Sequence, residues 1–261
     1  MIATAYAAEE AATGGITVHL APEIIGHVGG LALTNTIVTA WFVLFLVLAF
    51  AAVMRFRYKM IPGKGQVLLE EMIGGAFEYV VTTLENRALA RKVFPIIMTI
   101  FIFILSLNWI GLLPGVDSIG YYALHGAEQK LVPFLHPANT DLNITLAFAI
   151  IAFVTIELAG ILSLGLFKYG SKFLNFSSPL NFVIGLLELV GELARLASFS
   201  FRLFGNVFAG KMLLVVAIFF IPFVAPVPIL AFELFVGVVQ ALVFAILTLF
   251  FIKLAVTDAH H

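Results

Sequence analysis

The chain contains 261 residues, of which 62% are hydrophobic and only 11% are charged, and its formal net charge is −1. Soluble domains are roughly half apolar and about one quarter charged, so this composition excludes an ordinary soluble enzyme and favours a protein with lipid as its solvent. The nearly neutral charge argues against nucleic acid as a partner. The lack of cysteine excludes disulfides, thiolate metal sites and cysteine nucleophiles. The six histidines lack the spacing of metal ligands, so we expect neither a metal nor a cofactor.

Five segments are long and apolar enough to cross a bilayer, whose hydrocarbon core takes about 20 helical residues. They cover residues 31–54, 93–113, 144–167, 180–220 and 227–252. The sequence therefore predicts an all-α, polytopic membrane protein with one membrane domain over residues 1–261, preceded by an external tail at residues 1–30.

Two connecting segments differ from these spans. Residues 67–89 mix apolar side chains with acidic ones and Arg87, a pattern that predicts an amphipathic helix on the membrane surface. Residues 114–143 contain proline, glycine, histidine and aspartate, and they predict an irregular external loop.

Basic residues indicate the orientation of the chain. Seven of the 14 Lys and Arg residues lie within residues 55–92, and three more, Lys168, Lys172 and Lys253, fall on the same side if the spans alternate. Only Lys130 lies in a loop on the opposite side. Because basic loops remain in the cytoplasm, we expect the N-terminus outside and the C-terminus inside, and we favour a bacterial inner membrane.

The fourth apolar segment is unusually long. It contains no proline between Pro179 and Pro222, and one helix of about 40 residues would be about 60 Å long, twice a hydrocarbon core of about 30 Å. Either the segment crosses twice as a hairpin that turns at Gly205 and Asn206, or it crosses once as a strongly tilted helix. A single crossing keeps Lys253 on the basic side and favours the tilted helix.

Ionisable residues inside a span cost several kcal/mol and mark candidate sites. At about 100° per residue, five polar residues of the long segment share one stripe of about 80°: Glu188, Glu192, Arg195, Arg202 and Asn206. Glu192 and Arg195, three residues apart, could be no more than a neutralising pair. Arg202 has no carboxylate among its helical neighbours and stays charged at any workable pH, which implies a water-filled cavity or a carboxylate from another chain.

Further polar residues flank this stripe. Lys211 points roughly to the far side of the helix from Arg202, and Glu233 and Gln240, seven residues apart, share one face of the last span. A purely structural membrane scaffold would have no use for a lone arginine at this depth.

A short sequence within the stripe carries a family resemblance. Residues 200–206 read S-F-R-L-F-G-N, Ala209-Gly210 follows, and residues 141–145 read D-L-N-I-T at the entry to the third span. With these motifs and Gln240 the chain resembles subunit a of F-type ATP synthases over nearly its whole length. The resemblance implies that Arg202 is the family's essential arginine.

The same resemblance assigns other positions. Asn206 and Gln240 match polar residues near the arginine, and Glu188 matches an acidic residue of the cytoplasmic-side channel. The position nine after the arginine is commonly acidic or histidine in the family but is Lys211 here. Glu233 faces it on the last span, which preserves a complementary pair. We expect Glu233 to relay the proton because a lysine beside a carboxylate stays protonated, although the two residues could form only a helix-to-helix salt bridge.

The resemblance also implies a mechanism and partners. Subunit a is a stator that is not catalytic on its own and that contacts a rotating ring of c subunits and the b subunits of a peripheral stalk. Two aqueous half-channels, one from each side, meet the ring carboxylates and are separated by Arg202. Proton is the default ion.

The sequence leaves the roles of four residues undecided. Glu157, inside the third span, could line the outer half-channel or simply bond a neighbouring helix, and Asp141, His125 and His136 could widen the outer entrance or be ordinary loop residues. An ion-coupled secondary transporter is the alternative function, but such transporters are built from inverted repeats, and the two halves of this chain differ in span length and polarity.

Overall fold

A computed structural model describes residues 22–28, 30–113, 115–116, 119–125, 128–171, 173, 178–222 and 224–257. Within these ranges five helices are long and apolar enough to cross a membrane, which confirms the all-α polytopic class. The helices are α1 (Asn35–Arg57), α2 (Lys64–Leu84), α3 (Arg87–Gly111), α4 (Leu142–Leu164), α5 (Leu166–Gly170), α6 (Pro179–Phe220) and α7 (Pro226–Val256). Short hairpins form at β1 (Ile24–Val28) with β2 (Leu31–Thr34), and at β3 (Gly120–His125) with β4 (Glu128–Pro133).

The first membrane helix begins later than the sequence suggests. Residues 31–34, predicted as helix, form strand β2, which pairs antiparallel with β1 and so draws residues 24–28 out of the predicted tail. Thr34 then caps α1 by accepting a hydrogen bond from the backbone N–H of Ile37. Residues 1–21 of the tail lie outside the described part of the chain.

The surface helix ends earlier than predicted. It stops at Leu84, and Glu85 turns the backbone into the left-handed region with φ 55°. Asn86 caps the next helix by accepting hydrogen bonds from the N–H groups of Ala88 and Leu89, so the end of the predicted segment 67–89 belongs to the span α3. Only Val80 and Leu84 of α2 are buried, as expected of a helix on the surface.

The predicted irregular loop at 114–143 is partly ordered. Strands β3 and β4 pair in antiparallel register from Gly120 opposite Pro133 to His125 opposite Glu128. A side chain at Gly120 would overlap the carbonyl of Val132, so the hairpin needs glycine there. A 3₁₀ turn, Ala138–Thr140, leads into α4.

The third span closes at a glycine. Gly165, with φ +86°, ends α4 at Leu164, three residues before the predicted end, and opens the short helix α5. The ring of Tyr169 on α5 folds back onto Gly160, where a methyl group would overlap it.

The long segment is one continuous helix. Helix α6 runs for 42 residues from Pro179, placed in its first turn, to Phe220, two residues before Pro222, because proline is tolerated at a helix start and disfavours continuation elsewhere. This confirms a single helix in place of a hairpin. The core lies where α7 packs against α3, α4 and α6, and it includes Leu203, Phe244 and Ile104.

Candidate functional site

Arg202 lies on the outward surface of α6. Its side chain is exposed within the chain, and its Nη2 donates a weak hydrogen bond of 3.4 Å to Ser198 Oγ, one turn away. Across the described ranges no carboxylate forms an ion pair with it.

The polar stripe of α6 divides at this point. Glu192 is only 3% exposed, and it accepts a hydrogen bond of 2.6 Å from Arg195 Nη1, while the guanidinium of Arg195 lies 4.0 Å over the ring of Phe251. The neutralising pair is confirmed, and it faces the helices α4 and α7. In contrast to this pair, Arg202 is exposed and Glu188 is half-buried. Residues that share one stripe on a helical wheel therefore lie on two different surfaces of the protein.

The surface around Arg202 is made of small side chains. Gly191, Ala194, Ser198, Gly205 and Ala209 are exposed or half-buried on the same side of α6. A side chain added at Gly191 or Gly205 would meet nothing within 4 Å. Another helix can therefore approach the backbone of α6 closely here.

A cavity of about 70 Å³ lies among α3, α6, α7 and the 3₁₀ turn. It brings together three of the residues selected from the sequence, Asn206, Lys211 and Glu233, and it is also lined by Asn108 and Asn139. Glu233 is buried, and its carboxylate packs against Gly210, where a methyl group would overlap it. Lys211 and Glu233 thus line the same cavity, although they lie on different helices.

Sequence reasoning missed two amide residues of this cavity, Asn108 and Asn139. Asn108 Nδ2 donates to the carbonyl of Gly237 at 3.0 Å, and Asn139 Nδ2 donates to Asn108 Oδ1 at 2.7 Å. These contacts join residues 129 and 31 positions apart. The sequence signal that could have found Asn108 is its position as a lone amide inside an apolar span.

His136 was weighed as a loop residue but lies deep in the site. It is 3% exposed, its backbone N–H donates to Thr39 Oγ1 at 2.9 Å, and its ring nitrogens lie 3.3 and 3.2 Å from Lys211 Nζ. The side chain of His125 lies outside the described part of the chain.

Comparison with known proteins decides the family. A family model described as ATP synthase A chain matches residues 37–253. ATP synthase subunit a of Moorella thermoacetica is 32% identical over 90% of this chain and 96% of its own length. The corresponding protein of Mycobacterium ulcerans is 34% identical over 87% and 90%, and that of Geotalea uraniireducens is 31% identical over 92% and 94%.

The chain belongs to the ATP synthase subunit a family. The resemblance inferred from the residues around Arg202 is thereby confirmed, and the family is that of a membrane subunit of the Fo sector, which is not catalytic on its own. The matched range begins in α1 and ends in α7, so it includes every residue of the cavity.

Within this family framework, two candidate residues have structural partners. Asp141 is 4% exposed and caps α4 by accepting hydrogen bonds from Asn143, while its second oxygen accepts one of 2.8 Å from Thr36 Oγ1. Glu157 accepts a hydrogen bond of 2.9 Å from the hydroxyl of Tyr169 on α5. Burial, and secondarily that bond, raises the pKa of the Tyr169 phenol.

Gln240 has a buried side-chain amide without a partner among the described residues. It is 8% exposed, and its Nε2 has no hydrogen-bond partner among the described residues. A buried amide donor that lacks a hydrogen-bond partner costs about 1–3 kcal/mol. Such groups are rare in folded proteins, and a functional role is one explanation for them.

Proposed function

We propose that this chain is the proton-translocating stator of an F-type ATP synthase, in which Arg202 faces the carboxylates of a rotating ring of c subunits. One observation carries the proposal: Arg202 is exposed on a membrane helix and has no carboxylate partner within the described ranges. A cation at this depth needs an anion or water. The small side chains beside it leave room for ring helices to pass.

The electrostatics explain how Arg202 would act. A ring carboxylate must be neutral to face lipid, and it is favoured in its charged form next to a guanidinium. Arg202 would therefore receive each carboxylate without its proton and would block direct leakage between the two half-channels. A potential of about 100 mV supplies about 2.3 kcal/mol for each elementary charge that crosses it, and this work biases rotation.

The cavity lined by Asn206, Lys211 and Glu233 is the proposed outer half-channel. The polar side chains in its otherwise apolar lining can bind water, and Glu233 contributes the carboxylate at its wall. Glu233 would pass protons to the ring, and Gln240 and Asn206 would hold water or orient Arg202.

Glu188 is the proposed inner-side residue. It is half-buried and lies nearly four turns before Arg202 on α6. Glu192 forms an ion pair with Arg195, so its contribution would be to packing and to the local field. We place the N-terminus outside and the C-terminus in the cytoplasm of a bacterial inner membrane, following the basic residues.

A second surface suits the peripheral stalk. A largely apolar groove of about 1,520 Å³ separates α1 and α2 and has α3 and α7 as its floor. It is wide enough for a membrane helix, which has a diameter of about 10 Å, and Arg55, Arg57 and Lys59 line one end. We assign this groove to a membrane helix of a b subunit with acidic residues at its cytoplasmic boundary.

Replacement of Arg202 tests the proposal directly. In inverted vesicles that contain the complete ATP synthase, Arg202→Ala should abolish ATP-driven proton pumping and ATP synthesis while subunit a stays assembled, and passive proton leak should rise. Arg91→Ala, which removes an exposed guanidinium near the start of α3, is the matched control and should retain coupled activity. Near-normal pumping by Arg202→Ala would contradict the proposal.

A further inference from the structure

His136 and Lys211 form a contact that the proposed function does not explain. The ring lies in the loop before the 3₁₀ turn, and both of its nitrogens are about equally far from Lys211 Nζ, at 3.3 and 3.2 Å. Either ring nitrogen is therefore within reach of the lysine ammonium, so the contact is available to both tautomers of the neutral imidazole. The imidazole is held at the outer end of α6, beside the cavity that Lys211 lines.

We propose that His136 transfers protons between the outer medium and the cavity, and that Lys211 positions the imidazole and relays no proton itself. This inference rests on the proposed function, because it adds a residue to the outer half-channel. Imidazole is the side chain that most often acts as general acid and base in proteins, because one ring nitrogen can accept a proton while the other releases one, whereas a lysine ammonium holds its proton tightly. Of the two groups in contact, only the imidazole is suited to rapid exchange under working conditions.

A polar route connects His136 with Glu233. Asn139, three residues after His136, is 1% exposed and lines the cavity, and its Oδ1 has no hydrogen-bond partner within the described ranges. A buried acceptor of this kind is a ligand for water. The cavity of about 70 Å³ has room for several water molecules, since each needs about 10–15 Å³.

The proton balance of this route is simple. Neutral His136 accepts a proton from the outer side at one ring nitrogen and releases the proton of the other ring nitrogen to cavity water. The protonated water becomes neutral again by protonating the Glu233 carboxylate. A change of tautomer returns the imidazole to its starting form. The reverse sequence carries protons outward during ATP-driven pumping.

Among the described residues, charged side chains on three of the elements packed around His136 face this region. Lys211 faces it from α6, Asp141 caps α4 beyond the 3₁₀ turn, and Glu233 on α7 lies across the cavity. Helices α1 and α3 present neutral polar groups to this region, including Thr39 and Asn108. The hydrogen bond from the His136 backbone to Thr39 fixes the loop independently of the imidazole.

Substitution of the imidazole tests the inference. In the complete ATP synthase in inverted vesicles, His136→Gln keeps a hydrogen-bonding side chain but cannot carry a proton, and it should reduce ATP-driven pumping at least about tenfold with normal assembly. His136→Ala should show the same loss, and added imidazole should restore part of the rate. The control Thr39→Val removes the loop anchor but keeps the imidazole, so its rate should not respond to imidazole.

Two results would overturn the inference. One is a His136→Gln variant that pumps at the parental rate, and the other is a His136→Ala defect that imidazole does not relieve in an assembled enzyme. If Arg202→Ala abolishes pumping while either result is obtained, the proposed function stands and only the role of His136 is wrong. If Arg202→Ala pumps normally, the proposed function itself fails.

Discussion

The carboxylate of Glu233 on α7 packs directly against Gly210 on α6, and no side chain larger than hydrogen fits between them. This contact brings the last two membrane helices together at the wall of the cavity. It also fixes the position of the acid that is proposed to exchange protons with the ring.

Gly210→Ala should therefore displace Glu233. The added methyl would overlap the carboxylate, and overpacking of this kind costs about 1–3 kcal/mol. We expect loss of most ATP-driven pumping, measured by quenching of a pH-sensitive dye in inverted vesicles. Gly74→Ala, on the exposed face of α2 with nothing within 4 Å of the new methyl, is the control. Normal pumping by Gly210→Ala would show that the position of Glu233 is not critical.

The Glu192–Arg195 pair should behave as a coupled unit. Arg195→Met removes the guanidinium that donates to the buried Glu192 carboxylate, and removal of one partner of a buried ion pair costs about 3–5 kcal/mol. The double variant Glu192→Gln/Arg195→Met removes both charges and should recover much of the lost stability. The temperature at which subunit a aggregates out of the purified complex measures both effects. If the destabilisation of the double variant equalled the sum of those of Arg195→Met and Glu192→Gln measured singly, the pair would not be coupled.

The contact between Glu85 and Lys253 should depend on pH. The hydrogen bond from Lys253, at 2.8 Å, lowers the pKa of Glu85 from its ordinary value of 4.5. Because the folded pKa is the lower one, the stabilisation is present above about pH 4.5 and is lost as the pH falls through the folded value. Glu85→Gln should lower the aggregation temperature slightly at pH 7, and the difference should disappear once the pH is below the folded pKa of Glu85. High salt should shrink the difference at pH 7, since both side chains are accessible to solvent.

Cross-linking tests the groove assigned to the peripheral stalk. The chain has no cysteine, so Ala76→Cys introduces a single thiol into the lining. It should form a disulfide with a cysteine in the membrane helix of a b subunit on mild oxidation, detected as a shifted band on a non-reducing gel. Leu162→Cys, exposed on α4 and not part of the groove, should give no such band. A fully assembled complex in which Ala76→Cys gives no cross-linked band with b would contradict the assignment.

The spans were predictable from the sequence because each is a long apolar run bounded by polar residues. The lack of proline between Pro179 and Pro222 allowed α6 to be one helix, and the position of Lys253 on the basic side favoured that over a hairpin. The predicted positions of helix ends were less accurate where a single capping side chain determines the end, as at Thr34 and Asn86. The hairpin at 120–133 was missed because its two short strands are stabilised by each other and carry little pattern of their own.

The site was predictable in part. Arg202, Lys211 and Glu233 are conspicuous as ionisable residues in apolar helices. The residues around them were not predictable, because contacts between distant parts of the chain bring Asn108 and His136 to this region. The periodicity of α6 placed Glu192 and Arg202 on one stripe, and only the packing of α4 and α7 shows that they face different neighbours.

The length of α6 has an electrical consequence. A helix of 42 residues is about 63 Å long, so to lie within a core of about 30 Å it must run about 60° from the membrane normal. Each residue then changes depth by about 0.7 Å, half the rise of an upright helix. In that orientation one helical turn would span less than about a tenth of the transmembrane voltage, and α6 would divide the potential into finer steps than a perpendicular helix of the same composition.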